Sequence, residues 1–225
     1  MDNLRRKAWN DLVARVFMTR AVVLFVAAGT LAYREAWVFL ALGTVGEGAT
    51  NAYLLRHDKE LLRRRLSSAS DEVTPVQRKV QKFTAVTFSG TLVSSGLDHR
   101  FHWSHIPSAV ILAGDLLVVC GLVIIWAAFR ANTFASAIIT VEERQTVVAA
   151  GPYALVRHPM YTGLVVMMLG VGPALGSWWG LVGAVAFASG VVVRLLDEER
   201  FLAGNLVGYT DYRAKVRHRL APLVW

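Results

Sequence analysis

Cysteine is all but missing from these 225 residues: Cys120 stands alone, so no disulfide framework can form within the chain. It lies inside an apolar run, where the role of a small buried apolar residue fits better than that of a catalytic thiol. Charge is scarce as well, at 18% of residues, and whole stretches lack it. Met160–Val193 holds no charged residue, and Ile106–Phe129 holds only Asp115. Apolar runs of 18 or more residues are long enough to cross a hydrocarbon core about 30 Å thick. The class is therefore membrane. A cleaved leader is not expected, because a polar or mixed stretch precedes the first apolar run and no A-x-A site follows it. No basic helix carries interleaved aromatics suited to reading bases, so the net charge of +8 does not point to nucleic acid. Anionic headgroups and inner-face loops account for it better. Internal repeats and low-complexity tracts are also missing.

What is there are six apolar segments: Ala21–Ala32, Trp37–Leu55, Phe83–Leu97, Ile106–Phe129, Met160–Ala174 and Ser177–Leu196. The first, third and fifth are short and are expected to extend, tilt or be partly buried. Gly172-Pro173-Ala174-Leu175-Gly176-Ser177 divides the last two into a helical hairpin. Of the 24 Lys and Arg, all but Arg34 and Arg100 fall in the segments that this topology puts on one side. By the positive-inside rule that side is the cytoplasm, and it holds both termini. Trp37, Trp103, Trp178 and Trp179 then fall at the outer boundary. Between Arg56 and Lys82 the chain is polar, and Leu61, Leu62 and Leu66 suggest a short helix on the inner leaflet.

Two stretches could carry chemistry. In the first, Gly151-Pro152 marks a turn before Tyr153, and Pro159 disfavours helical geometry at His158. Irregular backbone at the start of a membrane helix is tolerated where it lines a cavity, and a polar, aromatic segment there could bind a nucleotide-like cofactor. The plainer alternative is an interfacial loop with Arg157 and Tyr161 anchored to headgroups. In the second stretch, Arg194 ends an apolar helix and Glu198 follows at i+4, on the same face. An ionisable pair at the inner end of a bundle suggests a functional site; a surface ion pair at the membrane exit is the alternative. Leu202, Tyr209, Tyr212, Val216 and Pro222 suggest an amphipathic C-terminal helix and an ordered tail.

Together, Gly151-Pro152-Tyr153, Arg157-His158-Pro159-x-Tyr161-x-Gly163, Arg194, Glu198-Glu199, Tyr209, Tyr212, Val216 and Pro222 resemble the isoprenylcysteine carboxyl methyltransferase family, and the related phospholipid N-methyltransferases. The likeness spans roughly Asn132–Pro222 and weakly the helix before it. It implies an all-α, polytopic transmembrane helical bundle of about six segments, with the C-terminal hairpin and a cytoplasmic cofactor pocket. Residues 1–225 would form one membrane domain: an N-terminal helical pair with its inner-face linker (1–82) and a methyltransferase-like core (83–225). The resemblance implies S-adenosylmethionine as cofactor, lined by Gln145, Thr146, Val147, Val148, Tyr153, His158, Pro159, Met160 and Tyr161. Arg194 and Glu198 would face the substrate as catalytic residues. The implied reaction is methyl transfer to a lipophilic or prenylated acceptor, most like carboxyl O-methylation of an isoprenylcysteine. Phospholipid or other small-lipid methylation is the alternative. Position 145 is Gln where some eukaryotic relatives have His, and the N-terminal helices differ from those enzymes, so the substrate portal does not transfer. The expected setting is a bacterial inner membrane, with lipids as neighbours.

Other readings come from different classes. Some sterol reductases share a similar C-terminal architecture but use a nicotinamide cofactor. His99, His102 and His105 could bind zinc or copper, but their spacing is not i,i+4 and Phe101 and Trp103 look interfacial, so no metal is expected. Glu47 lies among Gly43, Gly46 and Gly48, and is expected to make a polar contact within a close helix packing.

Overall fold

Ala8, Leu12, Val16, Leu24 and Ala28 recur at multiples of four residues, and all are buried. That stripe holds one helical run together: α1 (Asp2–Asp11), a π-helical stretch (Leu12–Thr19) and α2 (Arg20–Ala28). Gly29 ends it in the left-handed region at φ 67°, a conformation that costs glycine little. The run thus starts well before Ala21 and stops short of Ala32. Hydropathy undercounts its first half because the face opposite the stripe is polar. The computed structural model describes residues 2–66, 75–135, 146–222 and 225, and every regular element among them is helical.

Two further helices follow: α3 (Arg34–His57) and α4 (Lys59–Arg65). Asp58 caps α4 by accepting from the Leu61 amide at 2.9 Å. Leu61 and Leu62 are fully buried against Leu54, Phe129 and Ala8, so the short helix is clamped to the bundle. Next comes α5 (Pro75–Phe101). It takes in residues 75–82, expected in the polar linker, because Gln77 and Val80 turn inward. The divide expected at residue 82 therefore falls inside a helix. Its C-terminal end also takes in His99, expected in the following loop.

The remaining helices are α6 (Ser108–Ala131), α7 (Pro159–Ala174), α8 (Gly180–Asn205) and α9 (Tyr209–Lys215). By length and composition α6 and α8 can cross a membrane, and α7 is apolar but shorter. A core helix of a soluble protein could pass the same test, but it would be buried. Only 17% of the apolar window of α6 is buried; Leu112, Leu116, Val119 and Val123 lie exposed along one face. Such a face needs an apolar surround. The expected hairpin of α7 and α8 is present, turned at Gly176 with φ 69° and closed by the Ser177 amide on the Gly172 carbonyl at 2.9 Å.

Helix α6 packs most extensively on α7, α5 on α8 and α2. The α6–α7 seam is main chain on main chain. A Cβ added at Gly121 would lie 2.6 Å from the Gly163 carbonyl oxygen, and one at Gly163 would lie 2.7 Å from that of Gly121. Small residues allow this approach where no water is available to drive association. At one end of the bundle Asp98, fully buried, accepts from Ser177 Oγ at 2.5 Å and from the Ser104 amide and hydroxyl at 2.7 Å. Trp103 meets Trp179 edge-on at this same end.

Candidate active site

At the other end, the chain turns into α7 as expected. Gly151 takes φ 59° ahead of a 3-10 turn (Gly151–Ala154). His158 is non-helical at φ −125°, ψ 62°, and Pro159 occupies the first turn of α7, where its missing N–H costs nothing. The C-terminal tail lies against this segment. Amides of Arg157 and His158 donate to the carbonyls of His218 and Arg219 at 2.9 and 3.0 Å, and the Thr162 hydroxyl donates to Leu220 at 2.7 Å.

Glu199 fastens the arrangement. Buried on α8, it accepts from Arg157 Nε at 2.6 Å and Arg219 Nε at 3.0 Å, with His158 Nε2 at 3.3 Å. Arg157 Nη1 also donates to the carbonyls of Val216 and Arg217 at 2.9 Å each. Arg157 and Tyr161 are both buried, which removes the headgroup-anchor alternative for them. Arg194 is buried too, which removes the surface ion pair as an alternative.

A cavity opens beside this knot. Thr146, Val147, Val148, Tyr153, His158, Met160 and Tyr161 line it, together with Arg194 and Glu198. The structure thus brings the expected cofactor and catalytic residues together, with two exceptions. Pro159 does not line the cavity and serves to start α7. Gln145 lies outside the described residues. Asn132, Phe134, Leu202, Leu206, Tyr209 and Tyr212 line it as well. Residues 209 and 212 belong to α9, split from α8 by Gly208 at φ 82°, so of the residues expected in an amphipathic C-terminal helix Leu202 falls in α8 and Tyr209 and Tyr212 in α9. Tyr212 Oη donates to the Tyr153 carbonyl at 2.8 Å. Burial raises the phenols of Tyr153 and Tyr209 and pushes that of Tyr212 up to about 12, so all three are neutral donors near pH 7.

Tyr161 joins the two catalytic candidates. Arg194 Nε donates to Tyr161 Oη at 2.9 Å, and that hydroxyl donates to Glu198 Oε2 at 2.6 Å. Met160, Tyr161 and Arg194 also line a second cavity of about 450 Å³ between the helices. Its wall includes Leu122, Ile125, Phe129, Leu164, Met167 and Phe187. A cavity of mixed polarity and a mostly apolar one therefore share a boundary at Tyr161 and Arg194. Glu47, at the far side of the second cavity, pairs with Arg20 at 2.8 Å, the polar contact expected of it. The histidines at the opposite end do not converge: His99 stacks on Tyr33 at 3.9 Å, and the rings of His99 and His102 are 6.4 Å apart. Among the described residues no group of three or more His, Cys, Asp or Glu is arranged to hold a metal ion.

Residues 109–206 match the phospholipid methyltransferase family, integral membrane methyltransferases related to the isoprenylcysteine carboxyl methyltransferases. The matched segment runs from the start of α6 to the end of α8 and so contains Tyr153, His158, Tyr161, Arg194 and Glu198. A search of curated proteins found no match.

Proposed function

We propose that the protein transfers a methyl group from S-adenosylmethionine to the carboxylate of a lipophilic acceptor of the isoprenylcysteine type. The observation that carries this reading is the shared boundary of the two cavities at Tyr161 and Arg194. A water-soluble cofactor and a membrane-soluble acceptor need separate approaches and one meeting point. The first cavity suits the cofactor by its chemistry: Val147, Val148 and Met160 offer apolar contacts, and Tyr153, Tyr209 and Tyr212 offer aromatic faces and neutral hydroxyls. Aromatic faces also attract a sulfonium cation.

When bound, the cofactor supplies an electrophilic methyl carbon: an acceptor oxygen bonds to it as the sulfur–methyl bond breaks, leaving a neutral thioether and a methyl ester. No proton needs removing, because a carboxylate is ionised near neutral pH. The protein's task is to orient that carboxylate and replace its water by fixed dipoles. Arg194, a rigid fork of donors, would hold it. Glu198 would fix Arg194 through Tyr161, which accepts from one and donates to the other. In the same reading the chain crosses the membrane six times with both termini cytoplasmic, supported by the confinement of basic residues other than Arg34 and Arg100 to one side. The family match favours methyl transfer over nicotinamide-dependent reduction. Its description also keeps the amine of a phospholipid as a second acceptor, for which Glu198 would help remove a proton.

The test is to incubate the purified protein with methyl-labelled S-adenosylmethionine and either farnesylcysteine or phosphatidylethanolamine, and to analyse the lipids by mass spectrometry. A base-labile methyl ester on farnesylcysteine is the expected product. Label on the phospholipid amine would replace the first acceptor with the second. Calorimetry showing no binding of S-adenosylmethionine would overturn both.

A further inference from the structure

The second cavity has an apolar wall and one strongly cationic corner, built by helices that precede the matched family segment. Arg20 comes from α2, Glu47 and Thr50 from α3, Arg65 from α4, and Gln81 and Thr84 from α5. Arg20 and Glu47 neutralise each other at 2.8 Å. Arg65 also feels the charge of Glu47 but makes no ion pair with it, nor with any other carboxylate among the described residues. Its guanidinium lies over the Phe129 ring at 3.9 Å, and its Nη1 is closed to solvent with no hydrogen-bond partner among the described residues. A buried donor left unsatisfied is costly and calls for an explanation. A charged one costs more, unless something with the opposite charge fills the space.

We propose that Arg65 is a substrate-recognition residue that binds an anionic group, carboxylate or phosphate, on the amphiphile occupying the second cavity, a group other than the reacting one held at Arg194. This rests on the reading of that cavity as the acceptor's. The apolar wall formed by Leu122, Ile125, Leu164, Met167 and Phe187 takes the chain; Arg65 Nη1, held flat by Phe129, takes the anion. Arg20 cannot serve in its place while it is bound to Glu47. Phe129 fixes the plane of the guanidinium, so the fork presents donors in a set direction suited to two-oxygen groups. Acceptor preference is then set by the N-terminal helices, while the chemistry belongs to the matched core.

Binding of three amphiphiles with one chain length tests this without turnover: dodecyl phosphate, dodecanoate and dodecanol, measured on the purified protein by competition with a fluorescent fatty probe. Inorganic phosphate serves as a fourth ligand. Wild-type protein should bind one or both anionic amphiphiles about tenfold to a hundredfold better than dodecanol, the range set by one charge-assisted hydrogen bond. Which anion binds better identifies the group as carboxylate or phosphate. Arg65→Met should reduce the preference to what Arg194 on the same cavity sustains alone, leave dodecanol binding unchanged and leave the melting temperature unchanged or higher. Arg65→Lys should keep a weakened preference, and it serves as the working variant should Arg65→Met fail to fold. Three results overturn the proposal: no preference in the wild type, full preference in Arg65→Met or Arg65→Lys, or displacement of the probe by inorganic phosphate as effective as by dodecyl phosphate. S-adenosylmethionine affinity is measured alongside: its loss in the wild type would sink the methyltransferase reading, while the anion preference is judged independently.

Discussion

Glu198 and Glu199 are neighbours in sequence, yet they should fail in opposite ways when neutralised. One helical residue turns the direction of a side chain by about 100°, so Glu198 faces the cavity and Glu199 faces the tail. Glu199→Gln keeps the size of the side chain and one acceptor oxygen, but removes the charge that faces Arg157, Arg219 and His158. Breaking a buried pair from one side costs about 3–5 kcal/mol, chiefly for the charge left behind. Arg157 keeps its two carbonyl acceptors, Val216 and Arg217, which puts the expected loss near the lower end, about 3 kcal/mol. For a chain of this size that lowers the melting temperature by roughly 6–12 °C. Glu198→Gln removes a hydrogen bond from Tyr161 and should lower it by only roughly 2–4 °C. Thermal unfolding of both variants in one detergent measures the difference. The reasoning is refuted if Glu199→Gln melts with the wild type, or if Glu198→Gln is the less stable of the two.

Arg194→Lys and Glu198→Gln should retain affinity for S-adenosylmethionine by calorimetry while losing turnover of the labelled acceptor; near-normal turnover would remove both from the active site. His158→Ala and Tyr153→Ala should weaken cofactor binding without unfolding the protein, and unchanged affinity in both would overturn the cofactor assignment. Gly121→Leu should prevent α6 from meeting α7 and abolish a folded, monodisperse product on size-exclusion chromatography, since the seam offers no room for a side chain. Burial holds the Tyr212 phenol at about 12, above the value of about 10 in an unfolded chain. The folded state therefore keeps that proton longer. Its contribution to stability is complete below pH ~10 and is lost as pH rises towards about 12, a slope that Tyr212→Phe should reduce in a pH series of melts.

The hairpin of α7 and α8 was legible because two apolar runs meet at a Gly-Pro-Ala-Leu-Gly turn, and the irregular backbone at His158 because proline follows it. The N-terminal helix was cut short because apolar density was weighed and one-sided spacing was not; the fourfold recurrence from Ala8 to Ala28 was there to be found. Pro75 as the start of α5 was hidden by Gln77, a polar residue that is buried because it donates to Asp197 on α8. Arg194 and Glu198 were found as one face of one helix. The hydroxyl that links them comes from another helix, and no periodicity within α8 could announce Tyr161. Glu199 is the plainest omission. Its partners arrive from the α7 approach and from the tail, and the path of that tail is decided by backbone hydrogen bonds to residues 157 and 158 that leave no mark on the pattern of side chains.

The contact of Gly121 with Gly163 also governs how an acceptor can reach Arg194. Two helices whose backbones touch leave no slit, so a hydrocarbon chain cannot slip sideways between α6 and α7. The α5–α8 boundary is also close, though through a side chain: a Cβ added at Gly183 would sit 1.9 Å from Thr91 Oγ1. Helix α2 is as close to α5, since a Cβ added at Gly96 would lie 2.8 Å from the Leu24 carbonyl oxygen, whereas α3 meets α6 through side chains such as Leu122 at Gly46, which can swing aside where main chain cannot. On the function proposed above, an acceptor would enter beside α3, outside the matched family segment, and swapping that helix between relatives should exchange which lipids are admitted.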